Sequence, residues 1–431
     1  MASPSLAERA RLATAALPTG TIPVGLGLIV NGASTYAFQI LAFRELGSAS
    51  YAALNGLWVT AFVLAPGLFL PLEQEIGRAL AHRRSHGEGG RPLLAKALVA
   101  ALVLVIAVIA LVLLLRGPIE TRLLRSSDGL FAALVVVLVG FAVESLARGT
   151  LSGNERFGRY GVIVGVDGFA RAVFAALIAL VGVGTLGWYG AVFAVGPFIA
   201  VVCGLVGARG LAEPGPRAAM SELTTAIGWL LLGSTFAQAL GYSAYIGASV
   251  LATPAQNAAL GAFIAGLFIA RVPILLFQAV QAALLPKLAA LLAQRRIAEF
   301  RHGLLRLVWI VAVGGLLATI AGYLLGPFVG GKLFGASYTL DAIGLASLIA
   351  GCCAIVVALT IAQALIALQR YAVTALAWVF ALAVFVAVMA LLADWNVFTR
   401  AEIAFVVGAA AAIAWIAVAA WRSLPTAPAG D

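Results

Sequence analysis

The chain has 431 residues, of which 63% are hydrophobic and only 10% charged, with a mean hydropathy of +1.08. Soluble globular domains run at about 45–50% apolar and about 25% charged, so this composition excludes a soluble fold and requires a polytopic membrane protein. The net charge of +10, from 27 basic and 17 acidic residues, does not imply nucleic-acid binding, because basic residues in a membrane protein first report topology.

Residues 1–19 are polar and include Arg9 and Arg11. The apolar run that follows, 21–43, exceeds the about 7–15 residues of a signal-peptide core, so it reads as a retained first transmembrane helix. A span needs about 20 apolar residues. Twelve such segments follow one another: 21–43, 51–72, 93–115, 129–148, 160–182, 186–208, 223–243, 257–283, 303–326, 339–365, 371–392 and 401–421. The expected fold is therefore all-α transmembrane, with about 12 helices and short connections that leave no room for a folded extramembrane domain. Cys203, Cys352 and Cys353 lie in apolar runs without a CxxC pair, and His82, His86 and His302 lie in basic loops. Neither set forms a metal site, a disulfide framework or a catalytic group, so no cofactor and no enzymatic activity are expected.

Lys and Arg placement gives the orientation. With the N-terminus cytoplasmic, nineteen of the 27 basic residues fall in cytoplasmic segments and six in outer ones; Arg171 and Arg271 lie within spans. This bias predicts both termini in the cytoplasm, with the basic excess facing an anionic leaflet.

Internal similarity divides the chain. STYAFQ at 34–39 in span 1 matches STFAQ at 234–238 in span 7. Pro66 precedes a basic stretch ending AHRR at 81–84; Pro273 precedes one ending AQRR at 293–296. Arg156-Phe157 after span 4 corresponds to Arg370-Tyr371 after span 10. The offsets, 200, 207 and 214, rise in order near half the chain length. They predict an N-terminal six-helix half at 1–212, a cytoplasmic linker at 213–222 and a C-terminal six-helix half at 223–431. Two such halves, in the same orientation, are pseudo-symmetric around a central cavity, and the cleft between them is the natural substrate site.

Charges inside spans are costly, about 2.5–3.5 kcal/mol on insertion scales, and normally face the bundle interior. Asp167 and Arg171 are spaced i,i+4 on one face of span 5, with Arg171 about 16 Å deep by helical rise. They form either a self-neutralised pair or a cavity-facing pair in which Arg171 is available to an anionic substrate. Glu144 and Arg148 repeat the spacing in span 4, as a helix-end ion pair or a protonatable coupling site. Arg271, mid-span in span 8, has no acid between 257 and 287; Pro273 follows, and Gln278 lies seven residues on near the same face. It must meet an acid on another helix, a carbonyl or an anionic ligand. Polar stripes run along span 1 (Asn31, Thr35, Gln39) and span 7 (Ser234, Gln238, Tyr242), serving interhelical hydrogen bonds or lining a hydrophilic cavity.

With LSGNERFGRYGVI at the span 4–5 junction, RVP in a proline-broken span 8, KLFGASY at 332–338 and two six-span halves, the chain resembles the polysaccharide exporters, or lipid-linked oligosaccharide flippases, of the multidrug/oligosaccharidyl-lipid/polysaccharide superfamily. The resemblance implies alternating access to a V-shaped cavity, in a bacterial cytoplasmic membrane. The implied substrate is a polyprenyl-pyrophosphate-linked sugar, received at a cationic centre on Arg271 and, less directly, Arg171. Gln278, Asn31, Gln39, Gln238 and Tyr242 would complete the substrate site, and Asp167 and Glu144 would couple transport to protons or sodium. Membrane lipids, and glycosyltransferases or a polymerase of the same pathway, are the implied partners; nucleic acid is not. The competing reading is an ion-coupled multidrug/cation antiporter of the same superfamily. A membrane polysaccharide polymerase or ligase fits less well, because the longest outer loop is only about 116–128 and carries no histidine.

Overall fold

The structure, a computed structural model, describes residues 20–223, 227–277 and 296–423, together with positions 284, 288, 291 and 294. Its described elements are helical. The longer ones are α1 (Thr21–Ser85), α2 (Arg91–Leu114), α3 (Asp128–Gly153), α4 (Phe157–Val181), α5 (Leu186–Leu205), α6 (Ile227–Gly241), α7 (Ser243–Leu251), α8 (Asn257–Ala270), α9 (Ile297–Phe334), α10 (Ala342–Ala367), α11 (Tyr371–Leu391) and α12 (Val397–Ser423). Ten stretches among the described residues are long and apolar enough to cross a membrane.

Two of the expected spans are hidden by this count. The 65-residue α1 is two spans joined at Gly47, whose φ of 70° lies in the left-handed region that glycine enters without strain. Span 7 is broken: α6 stops at Gly241, Tyr242 leaves helical geometry (φ −112°, ψ 6°), and α7 resumes at Ser243. The limbs of α1, and α6 with α7, thus restore the twelve spans expected from the sequence. Some boundaries differ: α9 outruns the expected 303–326 at both ends, and α8 stops at Ala270 within the expected 257–283. The second limb of α1 runs on to Ser85 rather than ending at 72, so Glu73 and Glu75 are buried within helix, at 4% and 7% exposure.

The two halves repeat one packing plan. In the N-terminal half the first limb of α1 packs on α4, the second limb on α3, and α5 on both α3 and α4. In the C-terminal half α6 packs on α11, α8 on α10, and α12 on both α10 and α11. Local geometry repeats with it. Arg156 and Arg370 open α4 and α11 with identical backbone angles (φ −86°, ψ 49°). Each follows a non-glycine residue in the left-handed region, Glu155 (φ 55°) and Gln369 (φ 58°). Ser127 and Asp341 cap α3 and α10, each accepting a hydrogen bond from the N–H three residues on. All three pairs share the offset of 214.

Small residues allow the helices to meet closely, as membrane packing requires. A Cβ on Gly27 of α1 would collide with the Gly161 carbonyl of α4, and one on Gly168 would lie 2.8 Å from Asn31. Between the halves the partners cross over: the first limb of α1 meets α8, and the second limb meets α6 and α7. Tyr36 donates to the Phe268 carbonyl (2.9 Å), Ser234 donates to the Gly67 carbonyl, and Tyr245 donates to the Ala52 carbonyl (3.3 Å). At the end remote from the termini the halves are sealed. Phe43 and Phe334 stack edge to face at 5.1 Å, and Arg44 donates to the Lys332 and Leu333 carbonyls at 2.8 and 2.9 Å. The linker docks on the N-terminal half, where the buried Arg83 binds Glu222 (2.9 Å), the Pro216 carbonyl (2.6 Å) and the Gly89 carbonyl (3.2 Å).

Candidate functional site at the interface of the halves

Two helix breaks in the C-terminal half converge on one side chain. α8 ends at Ala270, Arg271 occupies its C-cap, and helix resumes over 272–277; the break falls just ahead of Pro273, which cannot supply an N–H to the ladder. α6 ends at Gly241, whose carbonyl is one of the acceptors left free at a helix C-terminus. Arg271 Nη1 donates to that carbonyl at 2.6 Å, and its guanidinium lies 3.7 Å from the centroid of the Tyr242 ring. Arg271 is half-buried and makes no ion pair with any described residue. Of the three partners its position demanded, the structure supplies a carbonyl at the negative end of a helix, and adds an aromatic face. One edge of the planar fork is engaged, which leaves donors for a further ligand.

Asp167 and Arg171 do pair, through Asp167 Oδ2 and Arg171 Nη2, with Arg171 1% exposed. The pair is enclosed by α5, since a Cβ at Gly196 would lie 3.1 Å from Arg171 Nε and 3.2 Å from Asp167 Oδ1. The guanidinium also sits 5.4 Å from the Trp58 ring and 5.3 Å from Phe193. Arg171 Nε and Nη1 have no hydrogen-bond acceptor among the described residues.

Glu144 and Arg148 pair as spaced (3.1 Å), but they belong to a larger group. Arg148 also binds Glu73 at 2.8 Å, and the Tyr160 hydroxyl donates to Glu73 at 2.8 Å. Glu144 is 1% exposed, and its Oε2 has no partner among the described residues. Arg171 lies within electrostatic range of it. The N-terminal half therefore groups three buried carboxylates with the buried Arg171 and the half-buried Arg148.

The polar stripes are used between helices. Asn31 Nδ2 donates to the Val164 carbonyl at 2.7 Å, and Thr35 donates to Asn31 Oδ1 at 3.2 Å. Gln238 Nε2 donates to the Phe62 carbonyl of the other half at 3.4 Å. Gln39 is buried, with an Oε1 that no described residue satisfies. Tyr242 lies under Arg271. Gln278 lies outside the described residues. A separate polar cavity of about 340 Å³, bordered by Arg84, Glu88, Asn154, Arg156 and Glu213, lies among the loops at the end carrying the termini, remote from Arg271.

Sequence reasoning missed Trp58. Its ring stacks on Phe62 and Phe193 at 4.7 Å and meets Phe268 edge-on at 5.9 Å. Trp58 thus packs on Arg171 on one side and, on the other, on Phe268 of α8, the helix that ends at Arg271. A tryptophan inside an apolar run carries no periodic signal of this kind. Glu73 escaped because span 2 was ended one residue before it.

Solved structures share this architecture. An inward-facing multidrug resistance MATE family transporter of the MOP superfamily superposes with a TM-score of 0.70 at 15% identity, over 93% of this chain and 98% of that one. The fold is that of the MATE transporters. An outward-facing form of a multidrug resistance MATE transporter gives a TM-score of 0.66 at 16% identity, over 94% and 95% of the two chains. A Vibrio cholerae MATE transporter gives 0.67 at 18% identity, again over 94% and 95%. No family model matches the sequence, and no curated protein matches it either. The two-lobe MATE fold bears out the all-helical, two-half architecture, while the low identity leaves cargo and coupling to the site's own chemistry.

Proposed function

We propose that the protein is a secondary transporter that moves its cargo between the two halves by alternating access, in a bacterial cytoplasmic membrane with both termini cytoplasmic. The observation that carries this reading is the convergence of two broken helices on Arg271 and Tyr242 at the interface of the halves. Discontinuous helices at mid-membrane expose backbone dipoles and side-chain donors where a ligand can be held and released. The sequence has no phosphate-binding glycine loop for ATP, so the energy comes from an ion gradient, the membrane potential or downstream consumption of the product. The buried acids Asp167 and Glu144, with Glu73, are the groups suited to take up the coupling proton or sodium ion.

The structural neighbours favour the ion-coupled antiporter of organic solutes over the lipid-linked sugar exporter, because those with a stated role are multidrug resistance transporters. The tyrosines and phenylalanines around Trp58 suit a flat organic cargo. The second reading, an anionic pyrophosphate headgroup drawn into the same cleft, is favoured by one observation: Arg271 is a mid-span cation with free donors and no ion pair among the described residues. Proteoliposomes separate the two. A gradient-driven flux of a cationic dye supports the antiporter; gradient-independent translocation of a pyrophosphate-linked lipid supports the exporter. Neither flux, in protein shown to be folded, would overturn the transport reading.

A further inference from the structure

A second pair of acids lies at the far end of the C-terminal half, away from the Arg271 site. Asp341 caps α10 from an exposed position, its Oδ1 accepting the Gly344 N–H at 3.1 Å. Glu402, near the start of α12, is 6% exposed, and no hydrogen bond or ion pair joins it to any described residue. A Cβ on Gly344 would lie 2.7 Å from Glu402 Oε1 and 2.8 Å from Asp341 Oδ1. Two atoms at those distances from one point are at most 5.5 Å apart, the sum of the two. The missing side chain of Gly344 is what leaves the space between them.

Neighbouring cations are turned elsewhere. Arg400 donates to the Ala393 carbonyl at 3.1 Å, and Lys332 lies over Phe328 at 5.9 Å. Asp394 forms no ion pair with a described residue, and Asp341 is the charged group that acts on Glu402. Tyr338, three residues before Asp341, has a buried hydroxyl that no described residue satisfies. Helix capping does not account for Glu402. The equivalent helix α3 is capped by Ser127 alone and has Leu130 where α10 has Gly344; Trp188 stands 214 residues before Glu402. The repeat needs one cap at this place, and the C-terminal half has a buried carboxylate in addition.

We propose that Asp341 and Glu402 form a site for a small hard cation such as Na⁺, entered from the far end past the exposed Asp341. Paired carboxylates without a basic partner among the described residues, one buried and one exposed, are stabilised by a cation that both can ligate, with water completing its shell. The site adjoins the seal between the halves: Tyr338 stacks on Phe334 at 6.1 Å, and Phe334 meets Phe43 of the N-terminal half. A bound cation would brace the start of α10 and, through this loop, that seal. The inference does not depend on the cargo, since it is read as binding.

The test uses the purified full chain at about pH 8, with radioactive sodium binding and thermal melting in NaCl against choline chloride at equal ionic strength. The parent protein should bind sodium saturably and melt higher in NaCl. Glu402→Gln, Asp341→Asn and Gly344→Ala should each lower sodium affinity at least about ten-fold. Asp341→Asn keeps a helix-capping side chain, so it reports on the site even if Glu402→Gln is poorly folded. Unchanged sodium binding in Asp341→Asn and Glu402→Gln would overturn the assignment. So would a parent whose melting responds to pH but not to sodium, which would give the pair to a proton instead.

Discussion

The two halves share a fold plan but handle buried charge in opposite ways. In the N-terminal half Glu73, Glu144, Asp167, Arg148 and Arg171 answer one another, with two arginines against three acids. In the C-terminal half Arg271 is answered by a helix carbonyl and a tyrosine ring. A charge balanced by another charge is strongly held, and removing one partner strands the other in low dielectric. A charge balanced by dipoles is held more loosely and can accept a new partner without breaking an ion pair. The contrast suggests a division of labour: the N-terminal half stores charge and responds to a coupling ion, and the C-terminal half offers a donor to the cargo.

Breaking the N-terminal network should have the largest effect. Arg171→Leu leaves Asp167 buried and alone, and breaking a buried pair from one side costs about 3–5 kcal/mol. Thermal unfolding in detergent should show a large loss for Arg171→Leu or Asp167→Ala. The double variant Asp167→Asn with Arg171→Gln should recover most of that stability. If it recovers transport as well, the pair is structural only; if it folds without transporting, Arg171 acts on cargo or coupling.

A smaller loss is expected at Glu73. Glu73→Gln removes one of the two acids that hold Arg148 but leaves Glu144 in place, so charge-assisted bonds worth roughly 1.5–3 kcal/mol are weakened rather than stranded. Equal melting of parent and Glu73→Gln would remove Glu73 from the network.

The linker clasp should give the smallest effect, one that depends on pH. Burial pushes the Glu222 carboxyl up, but the Ala219 N–H and the Arg83 guanidinium outweigh it and hold the group below the usual carboxylate range. A depressed carboxylate contributes stability that is fully present above the unfolded value of about 4.3 and is lost as pH falls through the folded value. Acidification should therefore loosen the linker, and protease nicking within 207–223 should rise at low pH in the parent. In Glu222→Gln that nicking should already be raised at neutral pH and change less on acidification.

Much of this architecture is legible in the sequence because a span is a length and composition signal. The offset between Arg156 and Arg370 tracks a real repeat, since the pair adopts one backbone geometry. The i,i+4 spacings of Asp167 with Arg171 and of Glu144 with Arg148 also become contacts, because helical periodicity fixes them locally. Partners set by tertiary packing are not legible. Nothing near Arg271 in the chain names the Gly241 carbonyl 30 residues earlier, and nothing near Arg148 names Glu73. The break at Tyr242 carries no proline or glycine pair to announce it, although Gly241 precedes it. Asp341 and Glu402 lie at span ends, where charged residues usually reach water, so burial of one of them shows only in three dimensions.

The central claim is that Arg271 is available to cargo while the N-terminal charges are committed to one another. Its most direct measurement is cargo flux in proteoliposomes for Arg271→Ala and Arg271→Lys, beside thermal melting of the same preparations. Removing a charge held by one carbonyl and a ring should change melting far less than Arg171→Leu does. Flux should fall by about ten-fold or more in Arg271→Ala, the loss of one charge-assisted contact, and recover partly in Arg271→Lys, which keeps the charge but not the planar fork. Parental flux from Arg271→Ala, or a melting loss as large as that of Arg171→Leu, would contradict the account and make Arg271 a structural cap for α6.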